Sequence, residues 1–306
     1  KAVLSKKGMA LSYTELWEAQ SKLIPESDVE YDAAIAYLEG PATYYVADKV
    51  KAKKKIAWLH CNYNMRIECK DFDAPYYDRF DKIVGVSTLC SDILREVFPA
   101  SADRVVTMHN IVSPDLIRDM AETGKGFEDG FIGIRILSIG RLHHQKGFDM
   151  AIEALSILKK EGHDVRWYIL GEGREREKLN MLAEQFRVAD SLVFLGGTVN
   201  PYGYISQADI YVQPSRFEGK SIAVEEAMIL AKPIIIANYA TATDQIENGV
   251  TGLIAEMNPQ GIAKAIEKLI KKPALAQKLS ENLSKRKLGN PSEIHLLYNW
   301  LEDRSQ

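Results

Sequence analysis

The sequence predicts an α/β protein made of two doubly wound parallel-sheet domains. Two observations carry this. From residue 135 onward, apolar runs of four to six residues alternate with amphipathic stretches, and runs this short and continuously apolar suit strands buried on both faces. Before residue 110 a shorter version of the same rhythm occurs, and the glycine-rich stretch "GKGFEDGFIG" (124–133) reads as the linker between the halves. A length of 306 residues suits two domains of ordinary size.

The first half offers helices at 12–23, 42–52 and 91–98. Its strands are "AAIAYL" (33–38), "KIAWLH" (55–60), "KIVGVS" (82–87) and "RVVTMHN" (104–110). In the second half the strands are "RILSIG" (135–140), "VRWYILG" (165–171), "LVFLG" (192–196), "IYVQPS" (210–215), "PIIIAN" (233–238) and "TGLIAE" (251–256). Between the first two of these, Ala151, Ala154, Leu155 and Leu158 recur at helical spacing and Gly162 stops the helix; "GREREKLNMLAEQF" fills the next gap. Such alternation implies right-handed crossovers, and ligands bind beyond the carboxyl ends of the strands. Two sheets facing each other would gather the loops after Gly140, Gly171, Gly196 and Ser215 around one cleft. The expected domains are 1–123 and 124–290, followed by a terminal segment 291–306.

Composition removes several functions. A net charge of -3 and a pI near 6.1 argue against a dedicated nucleic-acid binder, which needs a basic face. Cys61, Cys69 and Cys90 form no metal-ligand pattern and leave an odd thiol, so a reducing cytoplasm is the simplest compartment. No run approaches the length of a membrane span. The lysine-rich stretch 48–58 reads either as a solvated helix end or as a peripheral patch for anionic lipid at the inner membrane surface. The first residue is Lys1 rather than Met, and the expectation is that the chain begins inside a larger protein.

Two stretches carry candidate chemistry. In "SIGRLHHQKGFD" (138–149) a strand ends at Gly140, and Arg141 and Lys146 occupy the loop before a helix, an arrangement suited to an anion. The alternative is two solvated basic residues. His143 and His144 are not spaced as metal ligands and read as surface histidines. In "SRFEGKSIAVEEAMILAKPIIIAN" (215–238) a helix apolar on nearly every side carries Glu226 on a stripe with Ile222, Ile229 and Leu230. A buried carboxylate there needs hydrogen-bond donors, either a ligand's hydroxyls or an internal partner. Glu225 points about 100° away and reaches water or a lysine. "EGKS", just before the helix, offers backbone N–H groups and the helix dipole to a second anion.

Glu218 and Glu226, with seven residues between them in "PSRFEGKSIAVEEAM", resemble the E-x7-E signature of retaining, nucleotide-sugar-dependent glycosyltransferases of family 4. "ILSIGRLHHQKGFD" resembles that family's donor-diphosphate loop, the stretch from "ILGEG" to "YVQPS" its nucleotide-binding strands, and "DQIENGVTGLIAE" its closing segment. The match is clear over about 135–270 and fainter in "KKIAWLHCNY" and "DKIVGVSTLCSDILREVFPASADRVVTMHNIV".

The resemblance implies two Rossmann-like domains of the GT-B type. Arg141 and Lys146 would hold the donor's diphosphate in place of a metal, Glu226 would bond the ribose hydroxyls, and Glu218 would face the transferred sugar. Gly140 would lie in the diphosphate loop, the backbone of Gly219, Lys220, Ser221 and Ile222 would touch sugar and phosphate, and Gly196 to Thr198 would line the base. His60 resembles a histidine placed near the sugar, with a structural hydrogen-bonder as the alternative; Asn110 likewise resembles a loop residue or caps a turn. No metal and no cofactor is implied beyond a nucleotide-diphosphate sugar (UDP or GDP type) as co-substrate, and the acceptor would be a glycan or lipid-linked molecule. "SEIHLLYNWLED" (292–303) resembles the terminal helix that returns to the first domain. Family members begin with a strand and a glycine-rich loop that this sequence lacks, so the first β/α units are expected to lie outside it. A sugar epimerase or pyridoxal-phosphate-dependent phosphorylase on the same scaffold, or a non-catalytic nucleotide-sugar-binding subunit, are the rival readings.

Overall fold

The computed structural model describes residues 13–302 apart from residue 62; the expected helix start at 12 and end at 303 lie outside the described residues. The chain divides into two compact units, one formed by the residues up to Ile111 with those from Pro291 onward, the other by Val112–Asn290.

The first unit contains α1 (Tyr13–Gln20), β1 (Glu30–Ala36), α2 (Pro41–Lys49), β2 (Lys51–Leu59), α3 (Lys70–Tyr77), β3 (Lys82–Gly85), α4 (Thr88–Val97) and β4 (Val105–Thr107). Its four described strands are parallel in the order β1-β2-β3-β4. Strand alternation sends Ala57, Leu59 and Ile83 into a core with residues of α2 and α4, while Ile56, Trp58 and Val84 face the opposite side. The order runs one way along the sheet, so no reversal of strand order occurs among its described strands.

Strand β2 is longer than the sequence suggests. Residues 51–55 belong to the strand rather than to a helix end, and Lys53, Lys54 and Lys55 find partners there that a solvated helix terminus would not supply. Lys53 pairs with Asp32 on β1 at 2.7 Å, Lys54 caps the carbonyls of Trp300 and Leu301 at 3.0 and 2.8 Å, and Lys55 donates to the Ala47 carbonyl at 3.0 Å. Cations on the last carbonyls of a helix also complement its dipole.

The second unit begins with α5 (Pro114–Thr123), opened by the Ser113 cap and a proline in the first turn. The domain boundary expected at residue 123 would leave residues 114–123 with the first domain. The helix packs instead through Ile117 on Val112 and Ile229 of the second unit, because its one apolar stripe has its partner there. Then follow β5 (Ile134–Ile139), α6 (Phe148–Lys160), β6 (Val165–Leu170), α7 (Arg176–Gln185), β7 (Leu192–Gly196), α8 (Tyr202–Gln207), β8 (Ile210–Gln213), α9 (Ile222–Ile229), β9 (Ile234–Ala237), α10 (Ala242–Gln245), β10 (Leu253–Ala255), α11 (Pro259–Lys271) and α12 (Pro273–Ser284). The final helix, α13 (Ile294–Glu302), belongs to the first unit, where Leu296, Leu297, Trp300 and Leu301 cover Ile56, Trp58 and Val84.

All six strands of the second sheet are parallel, in the order β7-β6-β5-β8-β9-β10. The chain therefore moves one way from β5 and then returns to start again on its other side at β8. That reversal is the switch point where ligands bind in such sheets. Both faces are covered. Ile136, Trp167, Ile169 and Val212 pack under α6, α7 and α11, and Leu137, Tyr168, Tyr211 and Ile236 pack under α8 and α9.

The stretch 124–133 is not a free linker. Phe127 packs on Tyr168 with ring centroids 4.3 Å apart, and Asp129 accepts from Arg166 at 2.7 Å, from Arg135 at 3.2 Å and from the Tyr168 hydroxyl. Arg135 and Arg166 are register partners on β5 and β6, so two like charges stand side by side and Asp129 neutralises both. Burial works against the ionised Asp129, but its hydrogen bonds from Tyr168, Arg166, the Phe131 amide and Arg135 outweigh it and hold the carboxyl well below the usual range. Its stabilisation is thus present above the unfolded value and lost as pH falls below about 4. Asp129→Asn is expected to cost about 1–2 kcal/mol at pH 7, with the gap to wild type closing in acid; urea titrations at pH 7 and pH 3 check it.

Among the described residues no helix is long and apolar enough to cross a membrane.

Candidate active site

The two stretches singled out in the sequence lie at the carboxyl ends of β5 and β8, the neighbouring strands at the switch point. Lys146 sits in a short 3-10 turn (His144–Lys146) just before α6, and its Nζ lies 2.7 Å from Glu218 Oε1, although 72 residues separate them. Neither is well solvated: the side chains are 17% and 8% exposed.

The two loops are fastened to each other. Arg216 forms a two-pronged pair with Asp149 in the first turn of α6, at 2.8 and 2.6 Å, and donates also to the His144 carbonyl at 2.8 Å. Its amide donates to the Gln145 carbonyl at 2.8 Å, and the Gln145 side chain to the Phe217 carbonyl at 3.0 Å. A planar guanidinium matched to a carboxylate fixes direction as well as distance. Gly147 has φ +67, and a Cβ there would fall 2.0 Å from the Pro214 carbonyl oxygen. Only glycine permits both the left-handed turn and the approach of the β8 loop.

Glu218 is held by a buried ladder. Tyr211, Gln213 and Ser215 share one face of β8 and its extension, and all three are fully buried. The Tyr211 hydroxyl donates to Gln213 Oε1 at 2.7 Å. Gln213 Nε2 donates to Ser215 Oγ at 2.8 Å and to Glu218 Oε1 at 3.3 Å, and Ser215 donates to the same carboxylate oxygen at 2.6 Å. Thr241 fixes the Glu218 carbonyl from α10's N-terminus at 2.9 Å.

Helix α9 places the second acid. Glu226 accepts from the Tyr202 hydroxyl of α8 at 3.0 Å. Burial raises its pKa above the usual carboxylate value; the Tyr202 bond opposes this and Glu225 adds to it. The phenol of Tyr202 is in turn pushed up to about 12, by burial and by Glu226. Glu225 turns the other way and pairs with Lys220 at 2.9 Å, as the helical offset predicts. At the helix start, Gln245 bonds both the amide and the carbonyl of Ser221, at 2.9 and 3.0 Å, which leaves Gly219, Lys220 and Ile222 exposed.

The remaining candidates are distributed as follows. Arg141 is exposed next to Gly140 and has no hydrogen bond or ion pair among the described residues. Gly171 bonds Gly196 through its amide at 2.7 Å and passes so close to Gly140 that a Cβ on it would meet the Gly140 carbonyl oxygen at 2.0 Å. The three loop glycines therefore lie together. Glu172 accepts from the Gly197 amide at 3.3 Å, and Thr198 is exposed with its hydroxyl turned to the Asn200 backbone. His143 caps the turn through Nδ1, 3.3 Å from the Gln145 amide. His60 and Asn110 belong to the first unit. His60 follows β2, its ring stands edge-on to Tyr37 with centroids 4.8 Å apart, and its Nε2 is buried without a partner among the described residues.

The sequence reading missed Tyr202, Gln213, Ser215, Arg216–Asp149 and Gln245. Only Gln213 had left a signal, as an amide within an otherwise apolar strand.

The family model for glycosyl transferases group 1 matches residues 133–286, which takes in every one of these second-unit groups. The chain belongs to this family. Group 1 relatives include an uncharacterized glycosyltransferase of Haemophilus influenzae, 33% identical over 148 residues, 48% of this chain and 42% of that protein. The poly(ribitol-phosphate) alpha-N-acetylglucosaminyltransferase of Staphylococcus aureus is 26% identical over 280 residues, 88% of this chain and 54% of that protein. The chain thus spans about half the length of the curated relatives it matches. Among solved structures, HepE of Anabaena in complex with UDP-glucose is similar with a TM-score of 0.68 at 15% identity, over 86% of this chain and 82% of that one, a likeness of fold. The fold is the Rossmann-like GT-B fold of this group.

Proposed function

We propose that the chain is the donor-binding and catalytic part of a retaining glycosyltransferase. It would move a sugar from a UDP- or GDP-type donor to a glycan or lipid-linked acceptor in polysaccharide or glycoconjugate biosynthesis. The observation that carries this is the meeting of Lys146 and Glu218 at the switch point, with Glu226 farther along the helix that begins there. One cation for phosphate, one acid for sugar and one for ribose are the groups a sugar nucleotide requires.

In this reading the Lys146 ammonium and the Arg141 guanidinium bind the diphosphate and offset the charge that grows on it as the C1–O bond breaks. The diphosphate leaves with the bonding electron pair, and the acceptor oxygen bonds C1 on the same face. The acceptor's proton passes to the departing phosphate oxygen. These cations do the work a metal does elsewhere. Ionised Glu226 accepts from the ribose hydroxyls beside the bond it already takes from Tyr202. Gly196 to Thr198 meet the base, and the backbone of Gly219–Ile222 meets sugar and phosphate. The UDP-glucose held by HepE and the poly(ribitol-phosphate) acceptor named for the Staphylococcus relative support these substrate classes.

A thermal-shift panel of UDP and GDP sugars tests the reading. A ligand at a hundredfold excess over its Kd adds ~2.7 kcal/mol of stability and raises Tm visibly. No shift with any of them overturns it. Arg141→Ala is expected to slow release of nucleoside diphosphate by about 2–4 kcal/mol of barrier while leaving Tm in place, since the side chain is exposed and unpaired among the described residues.

A further inference from the structure

The ladder beneath Glu218 has a direction. Tyr211 donates to the carbonyl oxygen of Gln213, which turns the amide nitrogen toward Ser215 and Glu218. Ser215 accepts from that nitrogen and passes its own proton donation to Glu218. With Lys146 included, three donors converge on Oε1. Among the described residues none donates to Oε2. A carboxylate with one oxygen fully supplied and the other left bare is a prepared acceptor for a hydroxyl.

The strand itself gives no packing reason for this amide. Ile210, Tyr211 and Val212 before it are all buried apolar residues, and a Gln inside such a strand must have its donors and acceptor satisfied or it destabilises the fold. Here both ends are satisfied, and the nitrogen end is spent on Glu218.

We infer that Gln213 is a positioning residue for sugar recognition: oriented by Tyr211, it acts with Ser215 to hold Glu218 by Oε1 so that Oε2 takes a hydroxyl of the donor sugar. The inference rests on the proposed donor site and adds to it. When Lys146 is drawn to the diphosphate, Oε1 keeps its bonds from Ser215 and Gln213, so the acid does not swing after the lysine. Sugar recognition then survives the rearrangement that phosphate binding imposes.

The test is a double-mutant cycle read by calorimetry, with UDP-glucose against UDP or GDP-mannose against GDP, whichever pair the wild-type chain binds. The quantity is the ratio of the two affinities, which isolates the sugar. Gln213→Met, close in shape and lacking the amide, is expected to reduce the sugar's contribution five- to tenfold while nucleoside diphosphate affinity stays within twofold. Tyr211→Phe, which keeps the amide and loosens its orientation, should give a smaller loss in the same ratio. In a Glu218→Gln background, Gln213→Met should change the ratio no further, because residues acting through one another are not additive. Melting curves confirm that each variant is folded. An unchanged ratio in both Gln213→Met and Tyr211→Phe overturns the inference, and so does an equal loss with and without Glu218. Failure of the donor-site reading shows separately, as wild-type protein that binds neither nucleoside diphosphate.

Discussion

Replacing Lys146 by alanine is expected to lower turnover of the nucleotide sugar by two to three orders of magnitude, the loss of about 2.7–4 kcal/mol seen when one group aimed at developing charge is removed. The same change should destabilise the free protein. Among the described residues Lys146 is one of three donors on Glu218 Oε1, and the carboxylate is 8% exposed, so without the lysine a largely desolvated charge keeps only Ser215 and Gln213 of these. Removing one partner of a buried pair costs about 2–3 kcal/mol or more, most of it the penalty on the group left behind. The two effects separate cleanly. Adding Glu218→Gln removes the stranded charge, so Lys146→Ala/Glu218→Gln should recover most of the lost stability and none of the lost turnover. Nucleoside diphosphate release and urea midpoints measure the two quantities. A single Lys146→Ala variant with wild-type turnover would sink its phosphate role. Recovery of turnover along with stability in the double variant would show that the lysine serves only the fold.

What the sequence disclosed follows from which forces act locally. The strands of the second unit were legible because a strand buried on both faces must be continuously apolar, and "PIIIAN" or "VRWYILG" has no other reading. A motif singled out Lys146, Glu218 and Glu226, and the structure brings the first two together, while Glu225 turns to Lys220 as its helical offset required. The errors lie where long-range partners decide. The lysines of β2 look like a solvated run until Asp32 and the Trp300 and Leu301 carbonyls, hundreds of residues away in the last case, are brought beside them. The glycine-rich stretch 124–133 looks like a linker until Asp129 meets Arg135, Arg166 and Tyr168. Arg216 and Asp149 carried no signal at all, since nothing in either neighbourhood announces a partner 67 residues off.

Glu226→Gln should move stability and binding in opposite directions. Burial raises the pKa of Glu226 above that of an unfolded carboxylate, with the bond from Tyr202 offsetting it in part and Glu225 adding to it. A carboxyl raised in this way favours folding fully only below the unfolded value, near 4.3, and that benefit is lost as pH rises through the folded value. At pH 7 the group is therefore ionised at a cost to the free protein. A neutral amide of the same shape can still accept from Tyr202 and carries no such cost, so Tm should rise. Nucleotide binding should weaken instead. Two ribose hydroxyls that donate to a charged acceptor lose about 1.5–3 kcal/mol when the charge goes, or ~10- to 100-fold in Kd. In the wild type the same loss should set in as pH is lowered toward the raised pKa, whereas the Gln variant should show a flat profile over that range. Calorimetry with the bound nucleoside diphosphate from pH 5 to 8, beside melting curves without it, reads both. A variant that binds as tightly as wild type would remove the ribose role, and one that binds weakly but melts lower would show that Glu226 is there for the fold, since a side chain kept for a ligand is recognised by the stability it withholds from the empty protein.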